Sequence, residues 1–125
     1  MNYTEKEVDE IDWHQVPYEH LASWQDVFQA SREMVDLSAP CPICGAPALH
    51  RWYLVGHPHE FVYEGTKYVA HGALWEWCSS CGSFVHCSSS VPEWWSSDLE
   101  VDTSKLTYVP DALEEAIRKR REKAA

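Results

Sequence analysis

Positive charge is nearly missing from the first hundred residues of this 125-residue chain. Residues 1–40 carry nine acids against Lys6 and Arg32, and residues 41–100 carry six against Arg51 and Lys67. A domain with so few cations cannot neutralise many phosphates, which argues against general nucleic-acid binding. Long apolar runs are missing as well. No stretch approaches ~18 apolar residues, so no membrane-spanning helix is predicted. The N-terminus has neither a basic start nor an apolar run behind it, so no secretory signal is read there and a cytoplasmic location is expected. Thiols are kept reduced in that compartment. Catalytic signatures are absent too. There is no P-loop, no G-x-S-x-G and no dinucleotide fingerprint. His59-Glu60-Phe61-Val62-Tyr63 lacks the second histidine of a zincin. Pro40-Cys41-Pro42-Ile43-Cys44 matches half of a zinc-deaminase signature, but neither His14 nor His20 supplies the upstream H-x-E. No repeat beyond two cysteine knuckles and no low-complexity tract interrupts the chain.

Those knuckles are the strongest positive signal. Cys41-Pro-Ile-Cys44-Gly45 and Cys78-Ser-Ser-Cys81-Gly82 are each C-x-x-C followed by glycine, with 33 residues between Cys44 and Cys78. Two such pairs supply the four thiolates of a tetrahedral zinc ion, each sulfur about 2.3 Å from the metal. The glycine permits positive φ, so each turn can fold back under the ion. Four thiolates leave no open coordination position, which predicts one structural Zn2+ and no metal catalysis. Cys87, the odd cysteine, reads as a partly buried strand thiol.

The chain divides into three regions of one domain, 1–125. Residues 1–40 are an acidic helical segment. Leu21, Trp24, Val27, Phe28, Met34 and Val35 make an apolar stripe on a helix predicted over Glu19–Asp36. Residues 41–90 form a zinc-stapled β core. Strands are predicted over Ala48–Val55, Glu60–Tyr63, Lys67–His71, Ala73–Trp77 and Ser83–Cys87, with a break at Gly56-His57-Pro58-His59 and a turn at Glu64-Gly65-Thr66. Residues 91–125 hold a Trp94-Trp95 loop and a helix from Asp111 to about Lys123, with Leu113, Ala116, Ile117 and Arg120 on one side. Acids early and bases late suit its dipole, so Arg118-Lys119-Arg120-Arg121 reads as a solvated face. Trp24, Trp52, Trp75 and Trp77 are expected in the core. His57, His59, His71 and His86 read as surface or cross-strand histidines, with a second metal site or an acid–base pair as the alternative.

The two C-x-x-C-G knuckles with antiparallel strands between and after them resemble a zinc ribbon over roughly residues 40–87. That resemblance implies a small antiparallel zinc-ribbon-like sheet, and with the N-terminal and C-terminal helices read from the periodicity the expected fold is α+β. The resemblance also implies Cys41, Cys44, Cys78 and Cys81 as the ligands. Many zinc ribbons serve transcription, translation or nucleic-acid enzymes, but the acidity here sets this chain apart from those. In size and acidity it resembles bacterial immunity proteins that neutralise nuclease toxins. The expected function is therefore a small acidic binding protein for a basic protein partner, with Trp94, Trp95, Asp98 and Glu100 as the partner-binding surface. The alternatives are a zinc-ribbon accessory of nucleic-acid machinery and an enzyme built on the histidines.

Overall fold

β-Branched and aromatic residues recur from residue 52 to 91, and the strands that carry them form the frame of the molecule. The computed structural model describes residues 5–124; residues 1–4 of the acidic segment and Ala125 lie outside them. Strands β1 (His14–Gln15), β2 (Val35–Asp36), β3 (Leu49–Tyr63), β4 (Thr66–Cys78) and β5 (Ser83–Pro92) form one sheet in the order β1-β5-β4-β3-β2. Its pairings are antiparallel except β1, which runs parallel to β5. Helix α1 spans Tyr18–Ala30 and helix α2 spans Asp111–Ala124. The α+β composition and the two terminal helices match expectation, whereas the sheet is larger than a ribbon's and not wholly antiparallel.

Alternation along the strands sorts the core into two faces. Leu49 and Cys78 pack with Trp24 and Phe28 of α1. Trp52, Trp75 and Trp77 point the other way and pack with Leu113 and Ile117 of α2. The sheet is thus the middle layer between the helices. All four expected core tryptophans are buried, Trp24 and Trp77 completely.

Four boundaries differ from the sequence reading. The predicted break at Gly56–His59 is not one. β3 continues through it with register shifts between Val55 and His57 and between Pro58 and Phe61, because irregularities absorb the extra residues while pairing to β4 persists. Likewise β4 is one strand, and β5 reaches Pro92. The turn is a two-residue hairpin with both central residues, Glu64 and Gly65, at positive φ (48° and 80°). Finally, α1 stops at Ala30 instead of Asp36. Arg51, on β3, donates to the carbonyls of Phe28 (2.7 Å), Ser31 (3.2 Å) and Glu33 (2.6 Å) and so holds the chain leaving the helix. Met34 and Val35 consequently leave the helical stripe and join the core on the α2 face.

Candidate metal centre

Each knuckle closes locally before any metal is considered. In the first, Gly45 N–H donates to the Cys41 carbonyl at 2.9 Å; in the second, Gly82 N–H donates to the Cys78 carbonyl at 3.0 Å. Both glycines have φ of 79°, a conformation that L side chains rarely adopt. The Ile43 N–H also points at Cys41 Sγ, 3.4 Å away. The second knuckle is the turn between β4 and β5, and the first lies in the loop leading to β3, tied to it by Ser79 N–H donating to Ala48 O at 2.9 Å. The sheet therefore fixes the second pair and presents the first to it.

The four sulfurs converge. All lie within 4.8 Å of one another, and no other such group of Cys, His, Asp and Glu occurs among the described residues. Cys41 and Cys81 Sγ are 4.0 Å apart, and Cys44 and Cys78 Sγ are 3.7 Å apart. A tetrahedral Zn–S distance of about 2.3 Å requires sulfur–sulfur edges of about 3.8 Å. Cys41, Cys44, Cys78 and Cys81 thus form a cage that can hold one zinc ion, and its chemistry is structural because the protein supplies all four ligands. Cys41 and Cys78 are buried in the α1-side core, so the ion would sit at the seam of that core.

The surroundings suit thiolate ligation. Ser83 Oγ lies 3.3 Å from Cys81 Sγ and 3.1 Å from His14 Nε2, whose other ring nitrogen lies 2.9 Å from the Asp12 carbonyl. Once Cys81 is a thiolate, the Ser83 hydroxyl can donate to it a hydrogen bond that orients this ligand. Without metal the sulfurs share protons. For Cys41 the contact with Cys78 works downward, but the contact with Cys81 and burial prevail and push its pKa up to about 11. Cys78 is raised by its contacts with Cys41 and Cys81 and by burial, and Cys81, as the acceptor of both, is lowered.

Two buried carboxylates, neither singled out by sequence reasoning, flank the strand that carries the second knuckle. Glu76 faces α1, accepts from Trp24 Nε1 at 3.3 Å and sits opposite Arg51. Burial pushes its pKa up to about 7 against the opposing effects of Arg51 and Trp24. Glu114 of α2 is fully buried on the other face and accepts from Trp77 Nε1 (2.9 Å), Ser79 Oγ (2.5 Å) and Arg118 Nε (2.9 Å). Burial drives its pKa upward, yet the nearby His50 and these three donors outweigh it, and the net shift is downward. One is an acid without enough partners and the other is a satisfied anion. Spacing on a helix face placed Glu114 among the early acids and gave no sign of its donors.

Of the expected partner-binding residues, Trp94, Trp95 and Asp98 have internal contacts. Trp95 packs on Tyr53 (5.3 Å between ring centres) and under the Arg51 guanidinium (5.5 Å), and Trp94 lies under Arg32 (5.1 Å). Both indoles are half-buried. Asp98 is exposed and paired with Arg120 at 2.9 Å, and Glu100 is exposed. Cys87 is on β5 as expected but is exposed, because that part of the sheet extends beyond the core packed by the helices. His86 stacks on Trp75 at 4.3 Å. No helix among the described residues is long and apolar enough to cross a membrane. No protein-family model, no curated protein and no solved structure matches this chain.

Proposed function

We propose that this chain is a zinc-stapled, acidic binding protein, built on a zinc-ribbon-like pair of knuckles, that masks a basic protein partner in the manner of an immunity-type inhibitor of a nuclease toxin. The observation that carries this reading is the fate of the basic run in α2. Arg118 pairs with Glu114 and Glu5, Lys119 with Glu115, Arg120 with Asp36 and Asp98, and Arg121 with Glu5 and Glu114. The exposed pairs among these add little stability one by one, but together with the pairs to buried Glu114 they cancel the only concentrated positive field in the chain. What remains is negative: the net charge is −10, and Glu7, Asp9, Glu10 and Asp12 make no ion pair among the described residues. Such a surface attracts a cationic partner and speeds encounter with it. Carboxylates laid over a cationic active site would exclude a substrate's phosphates without any chemistry of their own. The partner surface proposed is Asp98 and Glu100 with the outward faces of Trp94 and Trp95, and the compartment proposed is the cytoplasm.

The test is native mass spectrometry of the tagged protein isolated gently from its own host. The expected species carries one zinc and one stoichiometric basic protein, and the complex dissociates as salt is raised. Bound nucleic acid, or an assembly with polymerase or ribosomal components, would overturn this reading in favour of a nucleic-acid accessory role.

A further inference from the structure

The outer half of the β3–β4 hairpin carries a cluster of histidine side chains, with His71 seven residues back along β4 from Cys78. His57 and His71 are direct register partners. Their ring centres are 5.4 Å apart, and His59 stacks on His71 at 4.7 Å. Simple alternation would not give this arrangement. Counting from Trp52, which faces α2, the even-numbered residues of β3 take that face, and His57 would point the other way. Gly56 is one extra residue between the register pairs Val55–Gly72 and His57–His71, and it reverses the alternation. His57 is thereby delivered to the face of His71.

Two glycines make the bulge possible. A Cβ on Gly72 would fall 2.2 Å from the Leu54 carbonyl oxygen, and one on Gly56 would fall 3.1 Å from that of His71. A second irregularity sets His59 and Glu60 against the single residue Val69. Bulges of this kind re-aim side chains next to functional sites.

The spacing fits an ion. A Zn–N bond of about 2.0 Å puts the centre of a ligating imidazole about 3.2 Å from the metal, and two such rings at the tetrahedral angle have centres about 5 Å apart. The observed 4.7 and 5.4 Å bracket that separation. His59 and His71 now stand stacked, with His57 tilted against His71, and the ring nitrogens do not converge as the four sulfurs do. His57 and His59 are exposed, so both can turn edge-on through rotamer changes that give up only surface ring contacts, among them that of His59 with Phe61.

We propose that His57, His59 and His71 form a second metal site, for a borderline divalent ion such as zinc or copper(II). Three neutral imidazoles suit these ions. In contrast to the cysteine cage, three protein ligands leave the fourth position to water or to a donor from another molecule. The net negative charge of the chain favours cation capture.

The experiment is a titration of zinc chloride at neutral pH into full-length protein already carrying one zinc on its cysteines, followed by calorimetry and metal analysis. A second equivalent is expected to bind. His57→Asn and His59→Asn should each weaken it by about tenfold or more, while the first zinc and the melting temperature stay as in the parent. His20→Asn, on α1, should leave both equivalents unchanged. Both key variants lie at exposed positions, so loss of fold does not confuse the result. Absence of a second equivalent, or equal binding by the parent and both hairpin variants, would overturn the proposal.

Discussion

Glu76 and Glu114 show how far environment governs one residue type. Glu76, 8% exposed, has one indole donor and one guanidinium across the strand. Its pKa of about 7 in the folded chain lies above the ordinary 4.5 of the unfolded one. The folded state therefore binds the extra proton between those values, and stability falls as pH rises through that window. Below it the penalty is absent; above it the penalty is complete and on the order of 3 kcal/mol. A tetrathiolate zinc centre two residues along β4 would push in the same direction. Glu76→Gln keeps an acceptor for Trp24 and removes the charge. Its stability relative to the parent should rise from about pH 4.5 to 7 and level off at both ends, as measured by urea unfolding across pH. Both proteins carry the same cysteines, so metal loss cancels in the comparison, and a flat difference would contradict the assignment. Glu114 presents the opposite case. Glu114→Ala strips the acceptor from Trp77, Ser79 and Arg118, leaves buried donors without partners, and should cost about 3–5 kcal/mol in the same measurement.

Local chemistry and remote chemistry separate cleanly among the elements. The hairpin at Glu64-Gly65, the α2 start behind Pro110 and the two knuckles are written in a few adjacent residues, and they were legible. The end of α1 was not, because its stop signal is Arg51, on a strand twenty residues away. Past that stop, Asp36 N–H donates to the Met34 carbonyl at 2.8 Å around Val35, whose φ of 67° is unfavourable for a β-branched residue. Apolar periodicity cannot anticipate such a turn. Gly56-His57-Pro58-His59 misled for a related reason. Glycine and proline mark breaks and bulges alike, and only the partner strand decides between them. The knuckles allow a sharper test of geometry. Gly45 and Gly82 share φ of 79°, but a Cβ on Gly45 meets open space while one on Gly82 would lie 2.3 Å from the Asp12 carbonyl oxygen. Gly45→Ala should therefore cost only the left-handed penalty, about 1–2 kcal/mol. Gly82→Ala must also displace the residues ahead of β1, and should lower both melting temperature and zinc affinity further. Equal effects would mean that the backbone at Asp12 yields freely.

At the scale of the whole molecule, the zinc cage joins what the sheet alone leaves loosely tied. The first knuckle belongs to no helix or strand, and it reaches the sheet through a few backbone hydrogen bonds, the sulfurs and the packing of Ile43, Ala46 and Ala48. Cys41 and Cys78 are also members of the core beneath α1. The opposite core, with Trp75, Trp77 and α2, shares no residue with the cage. Metal removal should accordingly act on one face first. Binding to thiolates adds its free energy to folding and is opposed by protons, and Cys41, pushed up to about 11 without metal, enters that competition protonated at neutral pH. Zinc uptake should thus release protons and strengthen as pH rises, visible as a buffer-dependent calorimetric heat. A strong chelator should lower the melting temperature and raise hydrogen exchange over α1 and residues 37–48 before α2 responds. Unchanged melting after verified zinc removal would show that the sheet holds without its staple. Uniform loosening of both faces would show that the two cores fold as one unit, with the strand carrying Glu76, Trp77 and Cys78 as their shared wall.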